Sequence, residues 1–295
     1  MESKQSRRSL LKNLALGASA IAVAPATALA SCESPKKNYK LKGNINHSVS
    51  QWTYNFLSLD ELCKVVKEIG FNAIDLVGPK DWPTLQKHGI YSSMCYTAGD
   101  NNLNNGLNHV EYHEKLIKEY LEVIPVMAKA GYKNLICFSG QRKGMDDETG
   151  MKNCKIALEK ILPVAEKNGV IMVMELLNSK VDHKDYMCDH SDWGVELCKR
   201  MDSENFKLLY DIYHMQINEG DIIRTIKESH QYFAHYHTGG VPGRHEIDNT
   251  QELYYPAVMK AIVETGYKGY VAQEFVPSWN NKIDSLKEAI KICDV

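Results

Sequence analysis

The chain has 295 residues, 24% charged and 44% hydrophobic, with a formal net charge of −2. Its first 32 residues hold Lys4, Arg7, Arg8 and Lys12 against Glu2, so the remaining 263 carry 31 basic and 36 acidic side chains, a net charge of −5. That balance argues against nucleic acid as a partner, because such recognition needs a basic face, and 263 residues suit one large α/β domain.

Ser6-Arg7-Arg8-Ser9-Leu10-Leu11-Lys12 is a twin-arginine pattern, followed by an uncharged Ala-rich stretch from Asn13 to Ala30. Leu29-Ala30-Ser31-Cys32 has the form of a bacterial lipobox. Residues 1–32 are therefore expected to be an export signal and 33–42 a polar linker, with residues 43–295 as the folded domain. The protein is expected to be periplasmic or membrane-anchored, with a lipid on Cys32 as the only membrane contact. Seven cysteines remain beyond Cys32, without a C-x-x-C pair, and most sit in apolar runs where buried, inert thiols are expected.

Apolar strand-like runs then alternate with amphipathic ones. Strands are expected at 45–50, 73–77, 89–96, 135–138, 170–176, 206–212, 233–237 and 270–275. Helices are expected at 58–69, 82–88, 110–130, 151–167, 192–201, 220–229, 251–265 and 283–292. Gly70, Gly131 and Gly266 each stop a helix just before an aromatic residue. Eight β-then-α units argue for a closed (β/α)₈ TIM barrel, and no G-x-G-x-x-G follows a strand.

In such a barrel the C-terminal ends of the strands converge on one mouth. Glu175 ends the fifth strand, Asp211 the sixth, with His214 just beyond it. His235 and His237 lie on the seventh, and Glu274 ends the eighth. Period-two alternation cannot put Asp211 and His214 on one strand face, so the chain must leave the strand between them. Three carboxylates at one mouth repel one another and call for a cation. Glu175, Asp211, His237 and Glu274 make an oxygen-rich ligand set that suits Mn²⁺ or Mg²⁺, with His214 beside the metal. The Gly- and Pro-rich loop after His237 carries Arg244, a planar cation able to hold a substrate carboxylate or oxyanion. His109 and His113 open a polar-faced helix and are expected to be solvated. His183, His190 and His245 receive no role.

The stretches MELLNSK (174–180), LLYDIYHMQINEGD (208–221) and PGRHE (242–246) together resemble the hydroxypyruvate isomerase group of the xylose isomerase-like barrels. The resemblance implies a hydroxy-ketone or keto-sugar isomerase in which Glu175 and Glu274 transfer the proton, His214 and Arg244 bind substrate, and the chain associates with copies of itself. Hydroxypyruvate isomerases commonly have an amide where this chain has His237, whereas the related 3-epimerases have histidine, so the resemblance implies the reaction class and not the substrate. An inosose-type dehydratase would use the same ligands. A nuclease of the same superfamily would need more histidine ligands and a basic groove, and a sugar-binding lipoprotein would not need the pair of glutamates.

Overall fold

The computed structural model describes residues 39–97, 99 and 103–295. The twin-arginine stretch, Cys32 and the linker as far as Asn38 lie outside the described residues. Two-residue strands β2 (Ala73–Ile74) and β3 (Tyr91–Ser92) pair in parallel. The longer strands are β1 (Asn46–Val49), β4 (Asn134–Cys137), β5 (Ile171–Glu175), β6 (Phe206–Asp211), β7 (Phe233–Thr238) and β8 (Tyr270–Gln273). These six form a parallel sheet in the order β1-β8-β7-β6-β5-β4.

Backbone bridges join the two sheets. Asp75 N donates to Val49 O and Gln51 N to Asp75 O, while Cys95 N donates to Asn134 O and Ile136 N to Cys95 O. The ring thereby closes as an eight-stranded barrel. The third strand, expected over 89–96, keeps only Tyr91–Ser92 as ladder and reaches β4 through the single residue Cys95.

Nine α-helices clothe the ring among the described residues. In chain order they are α1 (Leu59–Ile69), α2 (Trp82–His88), α3 (His113–Lys129), α4 (Asp147–Asn168), α5 (Ser191–Met201), α6 (Ile212–Asn218), α7 (Ile222–Ser229), α8 (Tyr255–Glu264) and α9 (Lys282–Cys293). Local chemistry sets their ends. Ser58 and Glu61 form a capping box at α1, and Gly70 closes it in the left-handed region at φ 111°. Asp146 caps α4 by accepting from Thr149 N, which starts that helix four residues before the expected Met151. The expected helix over 251–265 begins only at Tyr255, with Pro256 in its first turn.

Met172, Val173, Met174 and Leu176 are fully buried, as a strand covered on both faces requires. All seven described cysteines are free and buried. His109 and His113 are also buried, against the expectation of solvation. His113 Nε2 lies 2.8 Å from Leu107 O and His109 Nε2 2.9 Å from Gln141 O, so backbone carbonyls hold both rings.

The last four residues expected to be linker are tied down at the N-terminal end of the barrel. Tyr39 Oη donates to Asp294 Oδ2 at 2.7 Å, and Lys42 donates to Asp294 through both its backbone N–H and its Nζ. His47 lies 3.8 Å from Asp294 and is buried without a hydrogen-bond partner for either ring nitrogen. Burial lowers its pKa to about 4, outweighing the attraction of Asp294. The folded state thus resists a proton that the unfolded chain accepts near pH 6.5. Stability contributed by the neutral ring is present above that pH and is lost as pH falls toward 4. Between pH 7 and 5 the wild type should lose about 2 kcal/mol more than His47→Gln, measured by urea denaturation at each pH. Equal losses in the two proteins would place the pH sensitivity elsewhere.

Candidate active site

Asp211 is both the last residue of β6 and the N-cap of α6. Its Oδ1 accepts the backbone N–H of His214 at 3.0 Å, which ends the strand one residue before the expected Ile212 and turns the chain into a helix. The cap consumes one carboxylate oxygen. Oδ2 remains without a hydrogen-bond partner and faces the barrel mouth.

The register of the parallel ladder sets Asp211 directly beside His237 on β7. Glu175 ends β5, and Glu274 follows β8, with its backbone N–H donating to Thr238 O. Ligand atoms of Glu175, Asp211, His237 and Glu274 all lie within 4.8 Å of one another, and all four residues are buried. His237 Nδ1 is the hub, at 2.7 Å from Glu274 Oε2, 3.3 Å from Glu175 Oε1 and 3.8 Å from Asp211 Oδ2. Its Nε2 lies 2.7 Å from Asp75 Oδ2 on the opposite side.

Three carboxylates this close in a dry site need positive charge. Arg244 supplies one cation, 2.5 Å from Glu274 Oε2 and 3.6 Å from Asp211 Oδ2. Its guanidinium lies between the rings of Trp52 and Tyr213, at 5.2 and 5.3 Å from their centroids. Arg244 itself adopts φ 58°, so a left-handed residue in the turn delivers the side chain inward. Glu274 is further held by the indole N–H of Trp52, which donates to Oε1 at 2.7 Å.

These surroundings split the carboxylates. Burial pushes Glu175 up despite His237 beside it, and pushes Asp211 up to about 7 against the pull of Arg244. Burial acts on Glu274 too, but His237 and Arg244 outweigh it and hold that carboxyl well below the usual range.

His214 takes a different place. Asn178 Oδ1 accepts from the backbone N–H groups of Val181 and Asp182, which leaves its Nδ2 to face His214 Nδ1 at 2.6 Å. An NH₂ group only donates, so Nδ1 accepts and Nε2 carries the proton of the neutral ring. Burial keeps the ring neutral by lowering its pKa well below the ordinary value. Nε2 has no protein partner and lies 3.7 Å from Asp211 Oδ2, so a donor points into the cluster.

Glu175, Asp211, His214, His237, Arg244 and Glu274 are therefore brought to one mouth. His183 packs edge-on to His214 at 5.1 Å, whereas His190 pairs with Asp189 and His245 lies 2.9 Å from Val276 O, both away from the cluster. Sequence reading passed over Asp75, Trp52, Tyr213 and the orienting role of Asn178. Asp75 sits inside an apolar run as a buried carboxylate, and that anomaly was its one available signal.

Four donors around one point fit a divalent cation. Mostly oxygen ligands with one imidazole suit Mn²⁺ or Mg²⁺, and Asp211 Oδ2 is a buried oxygen that makes no hydrogen bond. Removing the Asn178 side chain would orphan two loop N–H groups and His214 Nδ1, at a cost of about 1–3 kcal/mol per unsatisfied group. In Asn178→Ala, amides of residues 178–183 should exchange at least tenfold faster by hydrogen-exchange mass spectrometry, with β4–β7 unchanged. Unaltered exchange in that loop would remove Asn178 as its anchor.

Comparison with known proteins identifies the fold. A family profile described as xylose isomerase-like TIM barrel matches residues 63–294. A Drosophila melanogaster protein provisionally named a hydroxypyruvate isomerase is 26% identical over 251 residues, covering 81% of this chain and 92% of the relative. Many solved structures share the fold, two of them as follows. One is an AP endonuclease, family 2, from Brucella melitensis, with TM-score 0.71, 22% identity, and coverage of 81% of this chain and 96% of that one. The other is 3-keto-D-glucoside 4-epimerase from E. coli, with TM-score 0.71, 16% identity, and coverage of 84% and 98%.

Proposed function

The chain belongs to the xylose isomerase-like TIM barrel family, and from that premise we propose that it isomerises a small hydroxy-ketone, keto-acid or keto-sugar through an enediolate. The observation that carries this reading is the pair of buried carboxylates, Glu175 and Glu274, that meet at His237 Nδ1, 3.3 and 2.7 Å from it. Proton transfer between neighbouring carbons needs one group to take a proton and another to manage the second site, and two carboxylates at one mouth supply that pair.

Glu175, Asp211, His237 and Glu274 would hold the metal, with Mn²⁺ or Mg²⁺ the ions best matched to these ligands. Such an ion, when bound, supplies polarisation of the substrate carbonyl and charge to match the developing oxyanion. The protein's own part is orientation and proton handling. Glu175 or Glu274 abstracts the proton next to the carbonyl, and the other serves the opposite side. Glu274 is held for this by Trp52 and Arg244. The Nε2–H of neutral His214 donates to the oxyanion as it forms. Arg244 binds a substrate carboxylate or oxyanion only by sharing or releasing Glu274, so substrate entry and the freeing of that glutamate are one event.

A ketose or keto-sugar 3-epimerase is the second reading, favoured by His237, since the resemblance gives hydroxypyruvate isomerases an amide there. A nuclease reading has little support. The likeness to the Brucella endonuclease is one of fold, the chain is acidic, and its cluster holds three carboxylates to one histidine. We also propose, from Ser6–Lys12 and Leu29–Cys32, export by the twin-arginine route with a lipid anchor.

Incubated with Mn²⁺ in D₂O with hydroxypyruvate and a panel of ketoses, the protein should place deuterium next to the carbonyl of its substrate, read by NMR. Glu175→Gln and Glu274→Gln should each lower that exchange by about 10²–10⁴-fold while remaining folded. Full exchange in either variant would take that glutamate out of the mechanism. Mn²⁺ at about 100 times its Kd should stabilise the chelator-treated protein by about 2.7 kcal/mol, seen in thermal melts. An unmoved melt would sink the metal reading while leaving the proton-transfer pair open to the exchange test.

A further inference from the structure

Asp75 is fully buried and belongs to no ligand set the sequence suggested. It follows β2 directly, and Leu76 after it takes φ 56°, so the chain leaves the strand as soon as the carboxylate has been delivered. Its oxygens serve different partners. Oδ1 accepts from Ser93 Oγ at 2.7 Å and lies 3.0 Å from His235 Nε2, whereas Oδ2 lies 2.7 Å from His237 Nε2. Ser93 Oγ is in turn 2.6 Å from Ser48 Oγ, so Asp75 is braced from the first, third and seventh strands.

Asp75, His235 and His237 could be read as a second metal site. The geometry speaks for protons instead: each imidazole faces its own carboxylate oxygen at a normal hydrogen-bond distance, with no atom central to all three. A carboxylate that accepts from Nε2 fixes which nitrogen of His237 bears hydrogen. With the proton there, Nδ1, which faces Glu175, Asp211 and Glu274, would be the nitrogen left to ligate a cation held among them.

We infer that Asp75 is a positioning residue that locks His237 in the tautomer and ring orientation in which Nδ1 can bind a divalent cation. This rests on the metal reading of the four-residue group. Carboxylates in this outer position typically raise metal affinity by about 10–100-fold through the ligand they orient. The same residue also carries the backbone bridge between β1 and β2, so the pocket's metal ligand and the closing seam of the barrel share one side chain and one backbone position.

The test is Mn²⁺ affinity by isothermal titration calorimetry on the full chain. Asp75→Asn, which presents an amide where the carboxylate accepts, should weaken Mn²⁺ binding by about 10–100-fold. Ser93→Ala, which removes only a brace of Asp75, should weaken it by several-fold and keeps the test available if Asp75→Asn does not fold. In a His237→Gln background, where no imidazole tautomer remains to select, neither substitution should weaken binding further. Mn²⁺ affinity within twofold of wild type in a folded Asp75→Asn or Ser93→Ala, or an equal loss in both backgrounds, would overturn the inference. Failure of the wild type to bind Mn²⁺ at all would instead overturn the metal reading beneath it.

Discussion

Burial of three carboxylates around one imidazole is the constraint on which the rest of this structure depends. In a low-dielectric pocket, like charges at these separations cannot all stay ionised without compensation. The fold provides compensation from two directions. Arg244 reaches in from the loop after β7, over the rings of Trp52 and Tyr213, and the imidazole of His237 stands among the carboxylates, with Asp75 holding its far side from the barrel interior. The four ligands with a divalent ion would sum to −1, and Arg244 brings the group to neutrality.

Much of the surrounding architecture reads as support for that group. Glu246, two residues beyond Arg244, accepts from Ser278 N, Ser278 Oγ, Trp279 N and Ser285 Oγ, which ties the arginine-bearing turn to the segment leading into α9. Asn178 does the same for the loop after β5 while orienting His214. The loops that carry Arg244 and His214's partner Asn178 are thus each tied down by buried polar groups, and positions set this way need no reorganisation when charge develops.

The barrel was legible because parallel strands covered on both faces are continuous apolar runs and the helices between them are capped and stopped by recognisable residues. The mouth was legible for the same reason: Glu175, Asp211 and Glu274 each interrupt an apolar run at its C-terminal end. Boundaries were less so. The early start of α4 followed from the Asp146 cap, and the short third strand from a chain that pairs with β4 through Cys95 alone. His109 and His113 were misjudged because their partners are carbonyls from other segments, Gln141 and Leu107, which no local pattern announces.

By itself the sequence determined the kind of fold and the residues that would meet at its mouth, since each depends on neighbours close along the chain. Tertiary structure alone decided which atoms of those residues face one another. Asp75 meets His237 across 162 positions and Trp52 meets Glu274 across 222. The orientation of His237, the donor on His214 and the split between Glu175 and Glu274 all follow from such pairings. Register and barrel closure set them, and these are properties of how strands assemble rather than of any one strand.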